Sequence, residues 1–115
     1  MKNIVFALHL LLFFGCTQER IPKPKQLLSV DQMTRFHLDL ALVNASSSYQ
    51  IESIIPIDSL YAFHNIDSIT FAQNNTYYAS KPKVYVKIFE GVKNEIERLE
   101  ELDSLSKRES LLLKE

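Results

Sequence analysis

Apolar side chains recur at helical spacing in the part of the chain that follows residue 28. The first such stripe consists of Met33, Phe36, Leu40 and Val43. Steps of three and four residues place these side chains on one face of an α-helix. Ser29 and Gln32 precede the stripe with the spacing of a capping box, so the helix is expected to begin there. It should fade at the three serines of residues 46–48, whose hydroxyls compete for backbone groups.

Helix start and stop signals divide the next thirty residues. Pro56 suits the first position of a short helix, and Asn65 is a residue that tolerates the left-handed conformation of a C-cap. A third helix is expected to start at Asp67 or Ser68 and to end before Ser80–Pro82. The stretch 49–55 fits either a loop packed on the core or an early turn of the second helix.

The last helix is the longest. It is expected to run from Lys81 to Leu113, which corresponds to about 50 Å. So small a core cannot cover that length, and the C-terminal turns therefore fray or meet a partner. Gly91 lies inside this helix, where it either allows another backbone to approach closely or is simply tolerated. No alternation typical of strands is sustained, so the sequence predicts an all-α fold, a small bundle of three to four helices with a long C-terminal helix.

The N-terminus has the pattern of a targeting segment. Ile4–Phe14 is apolar apart from His9, and eleven helical residues span only about 16 Å, too short for a bilayer of about 30 Å. Residues 1–15 are therefore interpreted as a signal peptide. Gly15 precedes Cys16, the only cysteine, as at the cleavage and lipidation junction of a bacterial lipoprotein. Phe13–Phe14 departs from the usual residues there, and the alternative is an ordinary secretory signal with a chance cysteine.

This junction sets the expected organisation and location of the chain. Residues 16–28 form a tether stiffened by Pro22 and Pro24, residues 29–106 the helical domain, and residues 107–115 a helix end or a frayed tail. Several acyl chains on Cys16 would anchor the protein stably to a membrane. Only Glu19 supplies an acid after the cysteine, which favours the periplasmic side of the outer membrane over the cell surface.

Composition excludes several classes of function. The 115 residues leave room for one small domain, and a formal charge of −1 gives no electrostatic basis for binding nucleic acid. The only two glycines, Gly15 and Gly91, cannot make a phosphate-binding loop. We expect no metal, because an acylated cysteine is not a zinc ligand, and we expect no cofactor and no enzymatic activity.

The histidines of the mature chain leave one alternative open. His37 and His64 fall on separate helices, where either could meet Asp39 or Asp67. His37 and Asp39 are two residues apart and so point to different sides of their helix. Tyr77 and Tyr78 are adjacent, so one of them should be exposed and is a candidate contact for a partner protein.

Five short motifs carry a resemblance to a known family. They are Met33–Ala41, Leu60–Tyr61, Tyr77–Tyr78, Lys81–Tyr85 and Ile88–Val92. In their order and spacing the chain resembles, over roughly residues 22–103, the domain-of-unknown-function 4296 family of Bacteroidota lipoproteins. The resemblance implies a small helical lipoprotein and supports the interpretation of Cys16, but it assigns no functional residue.

The same bacterial group suggests a modification. Ser59, Ser68 and Ser104 each follow an aspartate and precede an apolar residue, which is the acceptor pattern of O-glycosylation in these bacteria. Asp and Ser are also ordinary residues at helix starts, so the pattern has a structural explanation as well.

Together these observations predict a lipid-anchored helical lipoprotein that acts as an interaction or accessory module of the bacterial cell envelope, with a protein partner still to be identified. Two alternatives remain. One is a small envelope enzyme that uses a histidine–carboxylate pair. The other is a chaperone-like periplasmic holder of unfolded chains, for which a contiguous exposed apolar groove is expected.

Overall fold

The structure, a computed structural model, describes residues 20–48 and 55–114. The predicted signal peptide, Cys16 and the stretch 49–54 lie outside the described residues. Within these two ranges there are four helices and no strand. The helices are α1 (Val30–Ser48), α2 (Ile57–Phe63), α3 (Ser68–Ala79) and α4 (Pro82–Leu112). The predicted all-α fold with a long C-terminal helix is confirmed.

The start of α1 is the predicted capping box. The Gln32 N–H donates to Ser29 Oγ at 3.1 Å, and the Ser29 N–H donates to Gln32 Oε1 at 2.8 Å. Each side chain thus satisfies a backbone donor that the first turn of a helix leaves unpaired. At its other end α1 finishes at Ser48, the last of the three serines.

The boundaries of the later helices follow local chemistry, with one correction. Pro56 was predicted as the first helical residue but is the N-cap of α2, because its ψ of 142° is extended. Asn65 has the predicted left-handed backbone, with φ 52°. Asp67 caps α3 by accepting the Thr70 N–H at 2.6 Å, and this hydrogen bond lowers the pKa of the Asp67 carboxyl. Pro82 is the first residue of α4.

Helices α1 and α4 form the main packed pair, with α3 against α4 and α2 against α1. Gly91 lies where α4 crosses α1. A Cβ atom at Gly91 would stand 2.8 Å from Cγ2 of Thr34 and 3.2 Å from its Oγ1. Gly91 therefore makes room for α1, but the nearest atoms of α1 belong to the Thr34 side chain and not to the predicted second backbone.

The core extends beyond the predicted start of the domain. Among the described residues it consists of Leu28, Met33, Phe36, Leu60, Asn74, Tyr78, Ile88 and Val92. Leu28 is only 3% exposed, although it belongs to the segment predicted as tether. Because it packs with Met33 and Ile88, the folded unit begins before Ser29.

Helix α4 continues far beyond the core. Val92 is its last buried residue, and twenty more residues, about 30 Å of helix, follow before it ends at Leu112. None of the helices described here is long and apolar enough to cross a membrane.

Candidate functional site

The C-terminal part of α4 projects beyond the packed core of the bundle. We call residues 95–114 the α4 overhang. Leu99, Leu102 and Leu105 within it are 37%, 50% and 49% exposed, and Leu111, Leu112 and Leu113 are more exposed still. Leucine side chains are normally withdrawn from water, so their grouping on one helix segment marks a surface that a partner can cover.

The exposed leucines continue the face of α4 that makes the core. At 100° per residue, Leu99 lies only about 20° around the helix from Ile88, three turns earlier. Leu102 and Leu105 each step about 60° further to one side. The stripe that packs on α1 and α3 in the first half of α4 therefore continues to Leu99, and from there the exposed leucines turn towards one side of the helix.

Charge is distributed unevenly along the α4 overhang. Residues 95–103 contain five acidic side chains and Arg98, whereas residues 104–114 contain three basic side chains and Glu109. Three ion pairs within α4 involve this segment: Arg98 with Glu95 at 2.8 Å, Lys107 with Asp103 at 2.6 Å, and Lys93 with Glu97 at 3.5 Å. Exposed pairs of this kind contribute little stability. The overhang thus has an acidic first half and a basic second half.

A histidine and a carboxylate meet on the other side of the bundle. The Nε2 atom of His64, at the C-cap of α2, lies 2.8 Å from Oδ2 of Asp39 on α1. The two side chains are 13% and 33% exposed, and the His64 ring contacts Phe36 and Phe63 edge-on. The pair therefore joins the end of α2 to the middle of α1.

An apolar groove adjoins this pair. It has a volume of about 430 Å³ and is lined by Asp39, Leu42, Val43, Ile55, Ser59, Leu60 and Phe63. Phe63 is 80% exposed. A groove with this apolar lining is the kind of surface that a holder of unfolded chains would need.

His37 belongs to a different environment from His64. Its ring packs against Phe71 and Phe89, with centroid distances of 5.4 and 4.8 Å. Burial lowers the pKa of His37, and a hydrogen bond to the Asn75 side chain partly opposes that shift. Since His37 faces α3 and α4 whereas Asp39 faces the end of α2, the two histidines do not contribute to one site.

The tyrosine pair separates as helical geometry requires. Tyr78 is buried, and its hydroxyl donates to the Leu28 carbonyl at 2.5 Å. Tyr78 therefore cannot serve as the partner contact suggested for it. Tyr77 is half-buried, with the Lys81 ammonium 4.8 Å from its ring centroid.

The three serines of the glycosylation pattern are exposed. Ser68 follows the capping Asp67 and is the first residue of α3, so helix capping accounts for that Asp-Ser pair. Ser104 Oγ donates to the Glu101 carbonyl at 2.7 Å in the middle of the α4 overhang. Over residues 20–48 and 55–114, no three His, Cys, Asp or Glu side chains gather into a metal site.

Asn74 is the structural residue that the sequence did not reveal. It is completely buried, and its Oδ1 accepts the Leu28 N–H at 2.8 Å. Its Nδ2 donates to the carbonyls of Gln26 and Thr70, both at 2.8 Å. Asn74 and Tyr78, one turn apart on α3, form an N-terminal clamp on residues 26–28. Their spacing put both on one face, but nothing in the sequence showed that this face meets the spacer.

Comparison with known proteins places the fold in a family. Residues 24–101 match the family model described as Domain of unknown function (DUF4296). The chain belongs to this family. The DUF4296 match includes the clamped segment, all of α1, α2 and α3, and α4 as far as Glu101. No curated protein and no solved structure matches the chain.

Proposed function

We propose that this DUF4296 protein is a lipid-anchored, non-enzymatic helical module of the bacterial cell envelope that works by binding another protein through the α4 overhang. The anchor is Cys16, and the domain stands on the periplasmic side of the outer membrane. The observation that carries the proposal is the leucine stripe of α4, which remains exposed after the bundle has ended.

Leaving these leucine side chains in water costs free energy. Covering one leucine side chain contributes roughly 1.5–3 kcal/mol relative to leaving it in water. A projecting helix of about twenty residues is also only marginally stable without packing against a neighbour. A partner on Leu99, Leu102 and Leu105 would supply both kinds of stabilisation.

The interaction is tested by photocrosslinking in cells that express the full chain. A photoreactive residue at Leu102 is expected to give a crosslinked product. The matched control is the same residue at Lys87, which is exposed on α4 beside the core. Absence of any product from position 102 would refute the protein-binding role.

The anchor is tested separately. Radiolabelled palmitate should enter the wild-type protein but not the Cys16→Ala variant. Equal labelling of the two proteins, or no labelling of either, would remove the lipid anchor from the proposal.

The His64–Asp39 pair favours a second candidate, a small envelope enzyme, because a carboxylate that orients an imidazole is one component of an acid–base site. In a purely bridging role, His64→Gln and Asp39→Asn should destabilise the fold by similar amounts, and the double variant by little more than either. If the stability losses of the two single variants add up in the double variant, the two side chains do not act as a bridge between α1 and α2.

A further inference from the structure

We infer that the protein bound by the α4 overhang is a second copy of the same chain, with the two overhangs packed antiparallel. This inference rests on the proposed function, since it identifies the partner of the same surface. It follows from the order of charges along the overhang.

Antiparallel packing brings opposite charges together. It places the acidic residues 95–103 of one copy beside the basic residues 104–114 of the other, and the same contacts recur on the opposite side of the two-fold axis. Flanking charges of this kind select the partner and orientation of packed helices. In a parallel pair, by contrast, acidic residues would face acidic residues and basic residues would face basic ones.

The register can be stated from the sequence of the overhang. With the two-fold axis midway between Ser104 and Leu105, Glu101 lies level with the partner's Arg108. Leu99 then lies within one turn of the partner's Leu112. Leucines of one copy thus lie within one turn of leucines of the other. Glu95 lies level with the partner's Lys114 as Glu101 does with the partner's Arg108, and Glu100 lies level with the partner's Glu109.

Two-fold symmetry also suits a protein held on a membrane. When the axis is perpendicular to the membrane, both copies stand at the same height, so two anchors can enter one bilayer. Confinement to that surface raises the effective concentration of one copy near the other, so pairing on a membrane should be more complete than pairing in micelles at the same protein concentration.

Charge reversal in the full-length protein tests the pairing. One variant is E101K/D103K and the other is K107E/R108E; each is studied alone and in an equimolar mixture in detergent micelles by analytical ultracentrifugation over a concentration series. The wild type should dimerise. Each variant alone should dimerise at least about tenfold more weakly, because the contact between Glu101 and the partner's Arg108 becomes repulsive on both sides of the two-fold axis. The mixture should regain wild-type affinity.

The control separates the overhang from general charge effects. D58K/E90K makes the same change in net charge as E101K/D103K, at exposed positions outside the overhang, and should dimerise like the wild type. Circular dichroism checks that every variant keeps its helix content. A wild type that stays monomeric, single variants that dimerise normally, or a mixture that is not restored would each overturn the inference.

The mass of the crosslinked product from position 102 distinguishes this inference from the proposed function. A product of twice the mass of the chain supports both. A product of any other mass overturns the inference and leaves the proposed function standing, whereas no product overturns both.

Discussion

Replacing Asn74 by alanine removes the buried amide that holds residues 26–28 against α3. The change removes the acceptor of the Leu28 N–H, and because Leu28 is buried that donor would stay unpaired at a cost of about 1–3 kcal/mol. The lost amide also leaves a small cavity, while alanine improves the helix by about 0.5 kcal/mol. We expect a net loss of about 2 kcal/mol, or roughly 8–16 °C in Tm for a domain of this size.

Thermal and urea unfolding followed by circular dichroism measure this loss. Gln73→Ala is the matched control, because it changes an exposed neighbouring residue of α3 and should alter stability by less than about 0.5 kcal/mol. Native-state hydrogen exchange gives a local reading, since the Leu28 amide should lose protection in the Asn74→Ala protein. Equal stability of the two variants would refute the role assigned to the buried amide.

The pH dependence of stability in the Asn74→Asp variant gives a second test of the buried amide. An ionised carboxylate keeps the acceptor for Leu28 but faces the carbonyls of Gln26 and Thr70 without a proton to donate. Burial and those carbonyls should raise the pKa of the new carboxyl above its unfolded value. The variant should therefore be most stable below its unfolded pKa and lose stability as pH rises through the folded pKa. A pH profile parallel to that of Asn74→Ala would contradict this reasoning.

Three further changes test separate parts of the fold. Gly91→Ala should destabilise the domain by about 1–2 kcal/mol despite its better helix propensity, and Thr34→Ser should relieve most of that loss in a double variant measured by urea unfolding. Burial lowers the pKa of His37 in the folded protein, so its neutral ring stabilises the fold fully above the pKa of the unfolded chain. This stabilisation is lost as the pH falls from there towards the folded-state pKa, and the His37→Leu protein should lack that decrease in a titration of Tm. Ser29→Ala should cost about 1 kcal/mol in urea, whereas an unchanged midpoint would mean that the pair with Gln32 contributes nothing.

Helix boundaries were predictable where the determining chemistry is local. Ser29 and Gln32 cap each other across three residues, and Asn65 adopts a positive φ by its own preference. Pro56 shows the limit of such signals. A fixed φ near −65° suits both the N-cap and the first helical residue, and only ψ, which proline leaves open, decides between them.

The sequence could not single out the contacts between residues distant in the chain: it left Asp39 and Asp67 both open as partners of His64, and it gave no sign of the contact between Leu28 and Asn74. Leu28 and Asn74 are 46 residues apart, and Asp39 and His64 are 25 apart. The side chains of Asn74, Asp39 and His64 are of types that often face water. Only the packing of the helices brings their partners within hydrogen-bond distance. The length of α4, in contrast, was evident because its leucines keep helical spacing whether or not anything covers them.

The N-terminal clamp determines where a pull on the membrane anchor would be borne. Under the proposed attachment at Cys16, Gln26 follows the anchor by ten positions in the chain, which extended backbone spans in at most about 35 Å. Tension along this segment would act on the hydrogen bonds made by Asn74 in the middle of α3 and by Tyr78 in its last turn. Under this attachment a pull on the anchor would reach the domain at α3, whereas the α4 overhang belongs to a different helix and would not bear it.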